Sequence, residues 1–277
     1  MKITLEKIEK IPSLSVSAQK IVAICNDVNS TQSDLVRIIK YDPVLTGKIM
    51  GLINSAYFSL PTYVQSLNRA IILLGLNTVK NLALSTALIE SLGKNKKNKF
   101  LKQELLWEHM LAVGIISKLL AHSQNIEKKL VEQYFISGLL HDIGDMILFI
   151  FYTEELQIAY QNSKENGQSL NYNFKELHNI TPNEIGGQVA EKWNLPLEFK
   201  EAIQFSREPK SGHSDIIKTV HLADRIARHL KIGFVCDTNN TSILSQDLAK
   251  IHFDKTIYKD LPEFILEEMN KARIFIQ

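Results

Sequence analysis

The chain has 277 residues, of which 45% are hydrophobic and 22% are charged, and its formal net charge is +2. This length is enough for one large domain or two medium ones with a buried core, and the composition is ordinary for a globular protein. Because the charge is nearly neutral, the chain as a whole has no electrostatic drive toward nucleic acid or an anionic membrane. We therefore expect no specific nucleic-acid ligand.

Two features favour a cytoplasmic protein without membrane insertion. The N-terminal stretch MKITLEKIEK lacks the apolar run of a signal peptide, and the longest apolar run, residues 146–152, is too short to span a bilayer. Cys25 and Cys236 have no CxxC spacing and suggest neither a disulfide framework nor a thiolate metal site. A reducing cytoplasm is the simplest compartment for such a chain.

The first predicted helices are marked by their caps. Thr31, followed three positions later by Asp34, is a capping pattern for a helix over residues 31–41. The pair Asp42-Pro43 then predicts the end of this helix and the start of another over residues 43–53, because Asp favours the cap position and Pro the first turn.

Two further apolar helices are predicted before residue 93. Ser66 is expected to cap the first, which Gly75 ends, and Asn77 is expected to cap the second, which runs to about Leu92. No stretch shows the sustained alternation of a half-buried strand, and no internal repeat is present. The sequence therefore predicts an all-α fold.

The segment GKNKKNKF, residues 93–100, interrupts the helical pattern. It is basic and polar, but no aromatic residues are interleaved with its lysines as they are in single-strand nucleic-acid binders. We interpret it as a solvated connector, which places a boundary between two helical parts near residue 95.

Three predicted helices each carry an ionisable residue on an apolar face. His109 lies in the stripe of the helix around residues 104–121, and Asp142 lies among the apolar residues that follow Phe135. Asp224 lies in the apolar stripe of DIIKTVHLADRIARHL, and GLLHDIGDM places His141 beside Asp142, between two glycines. A buried carboxylate without a partner is costly, so these residues are expected to pair, bind metal or take up a proton.

The residue types leave two hypotheses open for the quartet of His109, His141, Asp142 and Asp224. Two imidazoles and two carboxylates suit one divalent ion such as iron, manganese, zinc, nickel or magnesium. A metal-free hydrogen-bonded network is the alternative, because buried polar groups are commonly satisfied by one another. We predict no catalytic residue and no organic cofactor.

Several motifs resemble those of the HDOD family, a branch of the HD superfamily of phosphohydrolases. The quartet follows the metal-binding order of that superfamily, and the resemblance continues through DPVLTGKIMGLINSAYFSL, AIILLG, LWEHMLAVG, FISGLLHDIGDM and VHLADRIA. It implies an HD-domain-like helical bundle with an N-terminal helical subdomain. On this basis, residues 1–95 form the N-terminal helical part, and residues 96–277 form the HD-like part that carries the quartet.

The chain departs from its relatives at three places. Asp145 stands where the active HD-GYP phosphodiesterases, a sister branch, usually carry a lysine able to contact phosphate, and a carboxylate there would repel a phosphate. Pro182 replaces a histidine of many HDOD members, and Phe205-Ser206 replaces a histidine pair of the relatives. The extra ligands of a binuclear phosphodiesterase are therefore missing.

The resemblance implies a bacterial regulatory protein of signal transduction that acts by binding another, unidentified protein rather than by hydrolysis. A metal-dependent phosphohydrolase acting on a nucleotide or a cyclic dinucleotide is the first alternative. A DNA-binding regulator is the second, because the helices over residues 31–41 and 43–53 loosely resemble a helix-turn-helix.

Overall fold

The computed structural model describes residue 9 and residues 11–93, 101–234 and 257–276, with side chains from residue 262 onward in the last range. Across these ranges the chain forms helices and no strands, which confirms the all-α prediction. The basic connector at residues 94–100 lies outside the described residues. The division of the chain near residue 95 therefore stays a prediction.

The helices before the connector are the first set. They are α1 (Val16–Asn26), α2 (Gln32–Lys40), α3 (Pro43–Ile53), α4 (Leu67–Leu74) and α5 (Leu76–Leu92).

The helices after the connector are the second set. They are α6 (Gln103–Ser123), α7 (Lys128–Leu140), α8 (Ile143–Phe151), α9 (Thr153–Asn166), α10 (Leu170–His178), α11 (Pro182–Lys192), α12 (Leu197–Phe205), α13 (Asp215–His229) and α14 (Ile257–Ala272), followed by a 3-10 turn, Arg273–Phe275.

The predicted caps of the first helices are present. The backbone N–H of Asp34 donates to the Thr31 hydroxyl, and the Asp34 carboxylate accepts the N–H of Thr31, so both parts of the capping box form. Asp42 accepts the N–H of Leu45 at 3.0 Å, and Ser66 caps α4. These contacts satisfy N–H groups that the first helical turn leaves without partners.

Two local predictions were wrong. Asn77 lies inside α5 rather than at its cap; Gly75, at φ +88°, both ends α4 and begins α5 without a side-chain cap. Asp142 lies in a break between α7 and α8, not within a helix. Periodicity did not reveal this break because the residues on both sides of it are fully buried.

The hydrophobic core includes residues from both sides of the connector. Tyr57, in the loop after α3, packs its ring against Phe135 of α7 and Phe275 of the C-terminal turn, with ring centroids 5.1 and 5.2 Å away. Its hydroxyl donates to Glu132 at 3.2 Å, and Lys118 donates to both Tyr57 and Glu132. A partly buried hydrogen-bonded ion pair therefore joins the NSAYF stretch to α6 and α7.

Two segments of the described chain are long and apolar enough to cross a membrane by length and composition alone. They are Gln103–Ser123 and Lys128–Phe151, and a third qualifies only if α4 and α5, bent by 120°, count as one. Of their most apolar windows, 72% and 94% is buried inside the protein. Their hydrophobicity is thus accounted for by the helical core.

The two glycines of GLLHDIGDM allow close backbone contacts. A Cβ on Gly138 would lie 2.7 Å from the carbonyl oxygen of Val113 and 2.8 Å from Cα of Gly114, so α7 crosses α6 without room for a side chain. A Cβ on Gly144 would lie 2.0 Å from the carbonyl oxygen of Pro182, where α8 meets α11. These contacts set the position of the turn that carries His141 and Asp142.

We predict that Gly144→Ala destabilises the fold by about 1–3 kcal/mol, because the added methyl group meets backbone atoms that cannot rotate away. Gly47→Ala is the matched control: it is also inside a helix, but its Cβ would have no neighbour within 4 Å. Helix propensity predicts that it stabilises by up to about 1 kcal/mol. Urea unfolding measures both, and equal stabilities for the two variants would contradict the close contact of α8 with α11.

Candidate functional site

The four residues of the predicted quartet converge in the interior. His109 comes from the middle of α6, His141 and Asp142 from the turn between α7 and α8, and Asp224 from α13. One potential ligand atom from each residue lies within 4.8 Å of all the others. The exposed fractions of the residues are 2%, 0%, 5% and 4%, so the cluster is shielded from solvent.

His141 is oriented by its own helix. Its Nδ1–H donates to the carbonyl oxygen of Gly138 at 2.7 Å, which directs Nε2 toward the two carboxylates. Nε2 lies 3.3 Å from Asp142 and 3.6 Å from Asp224, and it has no aligned hydrogen-bond partner within the described part of the chain. A backbone carbonyl on one ring nitrogen and an open second nitrogen is the usual arrangement of a metal-ligating histidine.

His109 is oriented by contacts at both of its ring nitrogens. Its Nδ1 lies 3.3 Å from the carbonyl oxygen of Ile232, and its Nε2 lies 2.9 Å from Oδ1 of Asp224. Nε2 is also 3.7 Å from Oδ2 of Asp142. The loop after α13 therefore helps to orient an imidazole on α6, and the ring bridges the two carboxylates.

Arg207 is a member of the site that the sequence analysis missed. It follows α12 directly, and its Nη2 lies 3.0 Å from both oxygens of Asp142 and 2.5 Å from Oδ2 of Asp145. Its Nη1 donates to Asn171 at 3.0 Å. One indication of its role was present in the sequence: Arg207 follows Phe205-Ser206, the dipeptide that stands in place of a histidine pair of the relatives.

The second carboxylate also has a guanidinium. Arg228, four residues after Asp224 on α13, donates its Nε–H to Oδ1 of Asp224 at 2.7 Å. The spacing of four residues places Arg228 next to Asp224 on the same face of the helix.

These contacts change the proton affinities of the buried groups. Burial alone would lower the pKa of His141, but the carboxylates of Asp142 and Asp224 raise it to about 10. Burial raises the pKa of Asp142, but the charges of Arg207 and His141 outweigh that effect and hold it below the usual range. The pKa of Asp224 is likewise held well below its usual range, because Arg228 and the two imidazoles outweigh burial.

The charges of the cluster balance without an added ion. Asp142, Asp145 and Asp224 supply three carboxylates, and the two guanidiniums together with a protonated His141 supply three positive charges. A balanced cluster avoids most of the penalty of placing isolated charges in a helical interior.

The same side chains could hold one divalent ion. The donor set of two imidazoles and two carboxylates, the 4.8 Å limit on ligand separations and the direction of His141 Nε2 all fit such an ion. The two guanidiniums oppose it, since each engages a carboxylate that the ion would need. The site thus has two chemically consistent states, one metal-free and one metal-bound.

The other departures lie around the cluster. Asp145 faces Arg207 and is 2% exposed, so its charge is compensated inside the protein. Pro182 occupies the first turn of α11 after the Thr181 cap, and the carbonyl of Ser206, at the end of α12, lies 2.7 Å from Nδ1 of His221. His178 is 7% exposed and packs against Phe174, so it does not belong to the quartet.

Comparisons with known proteins extend over most of the chain. An uncharacterized protein of Treponema pallidum (strain Nichols) is 24% identical over 228 residues, which is 81% of this chain and 44% of that protein. The chain therefore spans less than half of the length of this relative. The model of the HDOD domain family matches residues 11–209.

Three solved structures share the fold. An HDOD domain protein of unknown function from Geobacter sulfurreducens has a TM-score of 0.77 at 22% identity, covering 96% of this chain and 93% of that one. A presumed phosphohydrolase from Shewanella amazonensis SB2B has a TM-score of 0.73 at 24% identity, covering 98% and 96%. A presumed signal transduction protein from Marinobacter aquaeolei VT8 has a TM-score of 0.68 at 20% identity, covering 100% and 63%.

Because these identities are below 25%, the three structures show that this chain shares their fold, but they do not show its activity. The family match includes most of the chain, and the helical bundle agrees with that match. The chain belongs to the HDOD family.

Proposed function

We propose that this chain is a cytoplasmic regulatory protein of bacterial signal transduction, which binds another protein through its HDOD domain and has no hydrolytic activity of its own. The observation that carries the proposal is the closure of the quartet. All four side chains are at least nine-tenths buried, and each carboxylate is already engaged by an arginine.

Hydrolysis of a phosphate ester would need a different site. A substrate oxygen must reach the metal ion, and cationic groups must stabilise the charge that develops on the phosphoryl group. Here the residues nearest to Asp142 on α8 present the carboxylate of Asp145, and Arg207 is itself only 7% exposed. The positive charge at the site is directed at internal carboxylates, which supports a binding role.

A metal-dependent phosphohydrolase, with a nucleotide or cyclic dinucleotide as substrate, is the second candidate. It is favoured by the direction of His141 Nε2 and by the donor set of the quartet. In this case His109, His141, Asp142 and Asp224 would hold the ion, which when bound would polarise a phosphoryl oxygen. The site would first have to open, because the described side chains around it leave the quartet buried.

The surface of α3 gives no support to a DNA-binding role. Its exposed positions include Val44, Gly47 and Gly51, none of which can donate a hydrogen bond from its side chain to a base edge. Lys48 on the same helix pairs with Glu90 at 2.6 Å. Together with the near-neutral net charge, this argues against a recognition helix at this place.

We predict that the purified protein does not turn over cyclic di-GMP or common nucleotides when manganese, iron(II) or magnesium is supplied. The measurement is product formation in a multiple-turnover assay with the wild type, Asp142→Ala and Asp215→Ala. Asp215 is the control for a lost carboxylate, because it lies on α13 with its side chain 76% exposed. Turnover of about 1 per second or more that disappears in Asp142→Ala alone would contradict the proposal.

We predict that the protein forms a stable complex with a protein partner from its native cytoplasm. Tagged protein is cross-linked in lysate, its partners are identified by mass spectrometry, and the most enriched partner is purified and titrated against the wild type. A saturable complex with a dissociation constant of about 1 µM or tighter is expected, in the range of ordinary specific interactions. Failure of every enriched protein to bind directly would contradict the binding role.

The quartet and its arginines, in this proposal, join α6, the α7–α8 turn and α13 without a metal. We predict that a chelator leaves the melting temperature of the purified protein unchanged. Asp142→Asn should lower stability by about 3–5 kcal/mol, because it breaks the buried ion pair between this carboxylate and Arg207. At roughly 2–4 °C per kcal/mol, the expected drop is about 10 °C.

Scanning calorimetry with and without chelator measures both effects, and Asp215→Asn is the exposed control. A loss of several degrees on chelation in the wild type, together with bound metal by elemental analysis, would instead assign a structural ion to the quartet. An unchanged melting temperature in Asp142→Asn would mean that the contacts of this carboxylate contribute nothing to the fold.

A further inference from the structure

Arg207 enters the site from outside the elements that carry the quartet. It belongs to the segment between α12 and α13, residues 206–214, and its side chain reaches Asp142 and Asp145 beside α8 and Asn171 on α10. Asn171 in turn donates to Asn183 of α11 at 3.1 Å. One guanidinium thereby connects an interhelical segment to three other helices.

The guanidinium lies where a metal ion would meet Asp142. Its Nη2 is 3.0 Å from both carboxylate oxygens, and one of these, Oδ2, is the atom that faces His141 Nε2 at 3.3 Å and His109 Nε2 at 3.7 Å. An ion bound to the quartet would need this carboxylate oxygen. A dication and a guanidinium cannot both bind it closely without strong repulsion, because the site is shielded from solvent.

We propose that Arg207 is an internal cation that competes with a divalent metal ion for Asp142, and so sets the metal affinity of the quartet. The ion binds when Arg207 leaves Asp142, and Arg207 returns when the ion is absent. This inference is independent of the proposed protein partner and of hydrolysis. It links metal occupancy to the position of residues 206–214.

Two contacts make Arg207, rather than Arg228, the competing group. Asp145 holds Arg207 at 2.5 Å, so the guanidinium retains a buried anionic partner when it leaves Asp142. Arg228 lies on the same helix as Asp224, four residues away, whereas Arg207 comes from the segment between α12 and α13. Displacement of Arg207 is therefore the step that couples an entering ion to another segment of the chain.

The test is calorimetric titration of metal-free protein with Mn²⁺ alone, with stoichiometry checked by elemental analysis after desalting. The variants are the wild type, Arg207→Gln and Arg207→Lys, and Arg69→Gln is the matched control because Arg69 is exposed on α4. Loss of a hydrogen bond between charged groups changes a free energy by about 1.5–3 kcal/mol. Arg207→Gln should therefore bind one Mn²⁺ about 10- to 100-fold more tightly than the wild type.

Arg207→Lys keeps the charge but cannot contact both oxygens in a fixed fork, so an intermediate affinity is expected. Arg69→Gln should match the wild type. Adding Asp142→Asn to Arg207→Gln should remove the gain, which places the bound ion at the quartet. An affinity of Arg207→Gln equal to that of the wild type, or a gain that survives Asp142→Asn, would overturn the inference.

A second measurement uses only the wild type, so it tests the proposal even if the Arg207 variants fail to fold. In the wild type at saturating Mn²⁺, amide hydrogen exchange of residues 206–214 should increase, while that of α6 should not, because only the former segment loses a contact that holds it, the one between Arg207 and Asp142. Bound Mn²⁺ without any change in the exchange of residues 206–214 would show that the ion and Arg207 occupy the site together, and would equally overturn the competition.

Discussion

The contact of Arg207 with Asp142 and Asp145 brings ionised groups into the interior of a helical bundle, where each isolated charge would cost several kcal/mol. The cluster persists only because every carboxylate has a cationic partner at hydrogen-bond distance. Such ion pairs rarely stabilise a fold more than apolar residues of the same volume would. Their effect is geometric: the end of α12 has to lie where its guanidinium can reach α8.

The backbone around the cluster is shaped to allow that geometry. Gly138 lets α7 pack directly on α6, which brings His141 and His109 to a ring separation of 5.6 Å. Gly144 lets α8 contact the first turn of α11, where Asn183 accepts a hydrogen bond from Asn171, the partner of Arg207 Nη1. The two glycines that bracket His141 and Asp142 are therefore explained by close helix packing, and the polar pair between them by the charges that this packing brings together.

Much of this arrangement could be predicted from sequence. The caps at Thr31 and Asp42 are local chemistry, and the quartet could be found because a titratable residue on an apolar stripe has to meet a partner. Arg207 could not be found in this way. It follows directly on α12, so no stripe marks its direction, and its partners are 62 and 65 residues away in sequence. The break at His141 also escaped prediction, because complete burial on both sides removes the polar face that reports a change in helix direction.

One departure from the relatives and the residue that follows another departure meet in one ion pair. By the resemblance, Asp145 stands where the active HD-GYP enzymes carry a phosphate-contacting lysine, and Arg207 follows the dipeptide that stands in place of a histidine pair of the relatives. Taken singly, a buried carboxylate beside Asp142 would add repulsion, and a buried guanidinium would add an unpaired charge. At 2.5 Å each removes the penalty of the other. As a result, the positive charges of the site face the protein's own carboxylates and are not available to attract a phosphate from solvent. The cations that face Asp142, Asp145 and Asp224 are thus part of the chain itself, and one of them, Arg207, comes from the segment between α12 and α13.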